Sequence, residues 1–367
     1  MNRWKRWVGG LAMAATLVAG LAGCAAQDEE VSAPPPGSTL TFPQSLGAGT
    51  FEEVRSFGDN PGALKMFRYS PPNPVAGAGL VVAMHPCTLN ATTYRGAGFE
   101  ELADEFGFYV MYPEQQSANN GLQCFNWAGE YGDPTNLRRG EGENLSIVNM
   151  VRQMEADFDI DPEKIFAFGH SGGGAEVALM LATWPDVFRG GATLAGIAYD
   201  CTRNFGQVSN CLNPGRPRDA GTWGDLVRAA YPEFQGTYPK MSVWHGSADS
   251  VVAPVNATEL IKQWTDVHGA DQVADAEELV DGYPRREYHN ARGEVVVEEF
   301  TITGAGHGTF VDPDKGCGTA GSYLLDEDIC AAAHIAAFWG LTGNVVDPPG
   351  DRTAPVVQVT APTEGQT

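Results

Sequence analysis

Short, wholly apolar runs recur along this chain, and stretches with helical spacing separate them. The runs fall at 80–84, 108–112, 165–168, 192–194 and 241–244, and the helical patterns at 99–106, 145–158, 175–182 and 255–267. A strand that is apolar on both faces must be covered on both, so the alternation predicts an α/β fold: a mostly parallel central sheet with helices on both faces. A further strand is expected at 295–302 and a closing helix at 329–339. The polar, alternating stretch 50–69 reads as a leading hairpin that turns at Asn60-Pro61-Gly62. Eight Trp, eleven Tyr and seventeen Phe among 367 residues supply a large core. Acidic residues outnumber basic ones 46 to 23, a net charge of −23. That balance excludes nucleic acid as the expected partner, because phosphate binding needs a basic surface.

The ends of the chain read differently. Residues 1–23 open with Arg3, Lys5 and Arg6, continue through an apolar run, and stop at Leu21-Ala22-Gly23-Cys24. That is a secretory signal layout, too short for a spanning helix. Cys24 resembles the lipidated cysteine of bacterial lipoproteins, and Ala25 after it favours the outer membrane by the same resemblance; a plain signal peptide and an extracellular product is the alternative. Any membrane association is then expected only through this lipid anchor. Residues 24–49, Pro-rich at 32–38, read as a tether. At the other end Asp347-Pro348-Pro349-Gly350 is a linker, and 354–360 is one strand without a partner after it. It resembles the opening strand of an immunoglobulin-like module, so 343–367 is expected to be the start of a truncated module or a stub. The chemistry is assigned to 50–342.

Export leaves Cys87, Cys124, Cys201, Cys211, Cys317 and Cys330, an even set that reads as disulfides. Six cysteines admit many pairings; locality favours Cys201 with Cys211 and Cys317 with Cys330, which leaves Cys87 with Cys124. The absence of any C-x-x-C pair argues against zinc, and no metal or organic cofactor is expected.

Gly169-His170-Ser171-Gly172-Gly173 lies directly after the run 165–168 and directly before a helical pattern. This is the strand–turn–helix setting that a G-x-S-x-G motif needs to hold a nucleophilic serine in a sharp, strained turn. Such a serine requires a base and an orienting acid, in the chain order Ser, Asp, His. Of seven histidines, His307 stands in a small-residue loop, Gly304-Ala305-Gly306-His307-Gly308, just past the strand 295–302. The others precede the serine (His85, His170), end a strand (His245) or a helix (His268), or fall in a polar loop (His289) or the late helix (His334). Asp249 follows the run 241–244 at the same sheet edge, whereas Asp200 and Asp225 lack that setting. Two backbone N–H donors must also face the developing oxyanion. Gly172 is one. Pro86 has no N–H, so in His85-Pro86-Cys87 the second falls to Cys87, whose geometry a bond to Cys124 would fix.

These motifs together resemble the polyhydroxybutyrate depolymerase-type esterases and their acetylxylan and feruloyl esterase relatives, within the α/β-hydrolases. The resemblance rests on Ser56-Phe57-Gly58-Asp59-Asn60-Pro61-Gly62, His85-Pro86-Cys87-Thr88, Tyr112-Pro113-Glu114-Gln115, Cys124-Phe125-Asn126-Trp127, the serine motif, Trp244-His245-Gly246-Ser247-Ala248-Asp249, Gly306-His307-Gly308 and Gly316-Cys317-Gly318-Thr319-Ala320-Gly321. It implies an exported serine esterase with Ser171, Asp249 and His307 as triad, Cys87 and Gly172 as oxyanion hole, and Trp127 as a wall of the substrate groove. Pro86 stands where depolymerases usually carry Gly and the acetylxylan branch accepts bulkier residues, so an ester polymer and an acylated polysaccharide both stay open as substrate. A surface binding protein on an inactive scaffold is the remote alternative; the presence of all three triad residue types speaks against it.

Overall fold

The computed structural model describes residues 48–129 and 134–342. The signal sequence, Cys24, nearly all of the tether and the carboxyl-terminal segment lie outside the described residues. Twelve strands and eight α-helices are described. They are β1 (Thr50–Val54), β2 (Lys65–Ser70), β3 (Ala78–Met84), α1 (Ala91–Tyr94), α2 (Phe99–Phe106), β4 (Tyr109–Glu114), α3 (Gly142–Asp157), β5 (Ile160–His170), α4 (Gly172–Thr183) and β6 (Gly190–Leu194). The series continues with α5 (Val208–Leu212), α6 (Ala220–Ala230), β7 (Lys240–Gly246), α7 (Val255–His268), β8 (Ala276–Val280), β9 (Tyr283–His289), β10 (Val295–Ile302), β11 (Thr309–Val311), β12 (Leu324–Asp326) and α8 (Ala331–Trp339).

Ten strands form one sheet in the order β1-β2-β4-β3-β5-β6-β7-β10-β9-β8. Its interior, from β4 to β10, is parallel, and antiparallel hairpins finish both edges. The period of two along each strand divides the core. Leu80, Val82, Met84 and Ile165 face the side covered by α3, α4, α6 and α7, where Met150, Leu179, Trp223 and Trp264 are buried. Val81, Ala83, Phe166 and Phe168 face the side covered by α1, α2 and α8, where Tyr94, Phe99 and Trp339 are buried. The outcome is the expected α/β-hydrolase architecture.

Local stops follow from the backbone. Gly107, Gly269 and Gly340 end α2, α7 and α8 in the left-handed conformation, which costs glycine little. The leading hairpin forms as expected, with Ala63 N–H donating to Asn60 carbonyl in the turn, 3.1 Å. One feature departs from the sequence reading, and two more were not read from it. His289, expected in a polar loop, ends β9, and the whole β8–β9 hairpin is strand. The segment 220–230 is helical, capped by the Asp219 carboxylate, which accepts the Thr222 N–H. A small parallel pair, β11 and β12, follows the His307 loop.

Three disulfides join Cys87 to Cys124, Cys201 to Cys211 and Cys317 to Cys330, the pairing that locality favours. Bonds of this kind belong to chains that mature outside the reducing cytoplasm.

Candidate active site

Ser171, Asp249, His307, Cys87 and Gly172 stand at the carboxyl edge of the parallel strands or in the loops that leave it. Ser171 sits between the end of β5 and the start of α4 with φ 55° and ψ −119°, a strained combination for a residue with a Cβ. Its N–H donates to Leu194 carbonyl at the end of β6, 2.9 Å, and its carbonyl accepts the Ala175 N–H. These bonds pin the turn from both sides. The hydroxyl makes no capping bond to α4, and among the described residues Oγ has no hydrogen-bond partner.

Asp249 follows β7 in a turn whose N–H groups converge on its carboxylate. Oδ1 accepts from Val251 and Val252 N–H at 2.8 and 2.9 Å, and Oδ2 lies 2.7 Å from His307 Nδ1. His245 Nε2 donates to Val252 carbonyl at 2.8 Å and stands 3.4 Å from the same Oδ2. Burial alone would raise this carboxyl. The hydrogen bonds from His245 and His307 outweigh it and hold Asp249 well below the usual carboxylate range. The His307 loop is stapled to the Asp249 turn: Ala248 N–H donates to Ala305 carbonyl, 2.9 Å, Ser247 N–H to Ile302 carbonyl, 2.9 Å, and Gly304 N–H to Ser247 Oγ, 2.8 Å. With Nδ1 committed to the carboxylate, the ring's other nitrogen is the one left for a proton transfer.

The two residues expected to offer N–H groups to an oxyanion are neighbours in space. Cys87 lies in the loop after β3, Gly172 is the first residue of α4, and neither N–H donates to another group among the described residues. An ideal Cβ on Gly172 would stand 2.8 Å from Cys87 Sγ, so only glycine admits the disulfide so near. His85 braces this loop: its Nε2 accepts the Gln115 N–H at 3.0 Å, which leaves Nδ1–H to donate to Pro86 carbonyl at 2.8 Å. Burial lowers the His85 pKa to about 4, so the imidazole is neutral and structural. Trp127 is buried, with its Nε1 edge turned toward Gly172.

The structure also assembles residues that the sequence did not single out. His170, fully buried, packs its ring 4.5 Å from that of His307, and neither of its nitrogens has a hydrogen-bond partner among the described residues. Burial first, and His307 second, push its pKa well down, so it meets His307 as a neutral ring. Tyr323, part-exposed and left-handed at φ 59°, stands 6.0 Å from the His307 ring. No motif marks Tyr323; its place depends on the loop closed by Cys317–Cys330. Asp200 and Asp225 pair with Arg203 and Arg228 rather than with a histidine.

The sequence pattern of the family described as "Esterase PHB depolymerase" matches residues 64–286, which hold Ser171 and Asp249. The chain is 45% identical over 294 residues to "Poly(3-hydroxyalkanoate) depolymerase C" of Paucimonas lemoignei, covering 79% of this chain and 70% of that one. It is 36% identical over 276 residues to "Acetylxylan esterase" of Coprinopsis cinerea, covering 72% and 70% respectively. Among solved structures it is similar to an acetyl xylan esterase from Aspergillus awamori, with a TM-score of 0.67 and 26% identity over 80% of this chain and all of that one. The chain belongs to the Esterase PHB depolymerase family of α/β-hydrolase ester hydrolases.

Proposed function

We propose that the chain hydrolyses carboxylic esters through an acyl-enzyme formed on Ser171. The observation that carries this reading is the 2.7 Å bond between His307 Nδ1 and the buried, ionised Asp249, beside a serine held in a strained turn. In the reaction, Ser171 Oγ attacks the ester carbonyl carbon while His307 takes its proton; Asp249 fixes the tautomer and stabilises the imidazolium. The negative charge on the carbonyl oxygen is met by the N–H groups of Cys87 and Gly172, the latter at the positive end of α4. His307 returns the proton to the departing alcohol, and water resolves the acyl-enzyme by the same steps in reverse order.

The substrate we assign is a polyester of the poly(3-hydroxyalkanoate) kind. The relative at 45% identity supports it, as does the rim of the site. Leu122, Phe205, Val251 and Tyr323, all exposed large apolar residues, lie on loops at the edge that carries Ser171, where they suit an apolar polymer surface. A second reading, removal of acetyl or feruloyl groups from polysaccharide, is favoured by the fit to the acetyl xylan esterase fold. Soluble product from polyhydroxybutyrate film and from acetylated xylan, each with wild type and Ser171→Ala, separates the two. Product from film that vanishes in the variant is expected; product only from xylan reverses the substrate, and undiminished hydrolysis by Ser171→Ala defeats the mechanism. Residues 50–342 act as the catalytic domain, carried on an exported chain that we place at the outer membrane through lipid on Cys24. A mature amino terminus other than lipidated Cys24, read by mass spectrometry, would leave export without the anchor.

A further inference from the structure

This acidic chain gathers three arginines around one pocket. A cavity of about 340 Å³ opens in the loops after β6, lined by Asp200, Cys201, Arg203, Arg216 and Arg218. Only Arg203 is compensated: its Nε and Nη2 bind the buried Asp200 carboxylate at 2.8 and 2.5 Å. Arg216 Nη1 and Arg218 Nη2 instead converge on a single neutral acceptor, the Cys201 carbonyl, at 3.0 and 3.2 Å. Neither has a carboxylate within ion-pair distance among the described residues. The acid in the lining, Asp200, is taken up by Arg203, and Glu259 receives the backbone N–H of Arg218 and is itself paired with Lys262. Arg218 lies over Trp223, its Cζ 4.5 Å from the ring centroid. Burial, and then the charge of Arg216, push its pKa below the ordinary value, with Asp200 acting the other way. Each guanidinium offers five N–H groups, so most of the donor capacity here is not used by the protein.

The pocket belongs to the working edge of the sheet. Its loop is bonded to the Asp249 turn, where Ala253 N–H donates to Leu212 carbonyl at 2.8 Å and Asn213 Nδ2 to Ser250 carbonyl at 3.1 Å. The bond between Cys201 and Cys211 closes the same loop.

We propose that the Arg216–Arg218 pocket binds a carboxylate carried by the substrate or product chain, so that chains bearing a free acid are held at this edge. The inference rests on the ester-hydrolase reading, because every ester cleaved leaves a carboxylate, and two forked guanidiniums match its planar pair of oxygens. Gln207 and Leu226, also in the lining, supply a polar and an apolar contact for the carbon chain beside it. The carboxylate can come from the acid end of a polyester or from a uronate on a polysaccharide, and the test separates them.

Kinetics are measured for a 3-hydroxybutyrate trimer as free acid and as methyl ester, and for acetylated xylan with and without glucuronate, in wild type and in Arg216→Gln/Arg218→Gln. The double variant is expected to raise KM about tenfold for one acid-bearing substrate, with kcat unchanged and its neutral counterpart unaffected. The arm that responds names the source. Arg216→Gln alone, an exposed position clear of Trp223, should give about a third of that effect on a logarithmic scale. A KM change equal for acid and neutral substrates, or none in either arm, overturns the proposal. Should wild type cleave no ester at all, including p-nitrophenyl acetate, the ester-hydrolase reading fails. Calorimetric titration of Ser171→Ala with the trimer acid, glucuronate and inorganic phosphate still tests the pocket. Carboxylate binding lost in the arginine variants supports it, and phosphate binding tighter than either carboxylate overturns it.

Discussion

Two buried carboxylates flank the serine turn and have opposite fates. Asp249, past the end of β7, collects two backbone N–H groups and two histidines, and its pKa is driven down. Glu176, in α4 little more than a turn after Ser171, is fully buried, and neither oxygen has a hydrogen-bond partner among the described residues. Burial, and then the charge of Glu143, push Glu176 well above the ordinary carboxyl range. Glu143 itself is bonded to Gln115 Nε2 at 2.5 Å and to Asn126 N and Nδ2 at 2.8 and 2.6 Å, tying together both ends of the loop that carries Cys124. Depth is therefore not what sets the direction of the shift. Partners do: donors surround Asp249, and none reaches Glu176 among the described residues.

The sharpest break in this contrast comes from Asp249→Asn. The side chain keeps its size but loses its charge and favours the wrong His307 tautomer, so kcat should fall about 10⁴-fold with the fold intact. A loss below tenfold in steady-state assays would mean that His307 is oriented by something else. Next is Glu143→Ala, which leaves the donors of Gln115 and Asn126 buried without their acceptor. It should cost roughly 2–4 kcal/mol in urea unfolding, and an unchanged midpoint would remove Glu143 from the support of the loop. The smallest effect belongs to Glu176→Gln, which should leave kcat/KM within about twofold.

The sign of that last effect follows from linkage. In the unfolded chain Glu176 ionises near its usual pKa of about 4.3, while in the folded chain it keeps its proton to higher pH. Its contribution is thus fully present in acid and is lost as pH rises through the raised folded value. Glu176→Gln should flatten this decline, raising the unfolding free energy more at pH 9 than at pH 4. Equal changes in Tm at both pH values would mean that Glu176 is ionised. Asp249 acts the other way: its contribution is present above the unfolded pKa of about 3.9 and lost as pH falls.

Legibility in the sequence followed burial. The interior strands announced themselves because both faces of β3 and β5 are apolar, and α2 occupies the expected residues because Gly98 and Gly107 bound it. The β8–β9 hairpin had no such signature. Its strands are held by ion pairs between neighbours, Glu278 with Arg285 and Glu277 with Arg286, and such a surface reads as loop. Within the site, Ser171, Asp249 and His307 were legible because each follows closely on a strand of apolar pattern. Tyr323 and the face of His170 were not, since their closeness to His307 depends on how separate loops fold over one edge. Glu176 was hidden by its helix: one carboxyl among Ala, Val and Leu gives no sign of facing Glu143.

The outermost strands bear on how neighbouring copies of the molecule meet. Among the described residues the sheet ends at β1 and β8, and their middle residues are Glu52-Glu53 and Glu277-Glu278. An edge strand is an open template for another strand, and charged side chains along it discourage that growth. Neighbouring copies would meet there with charged ribbons of glutamate and its paired arginines, so the hairpins that finish this sheet also act as guards against amyloid-like joining.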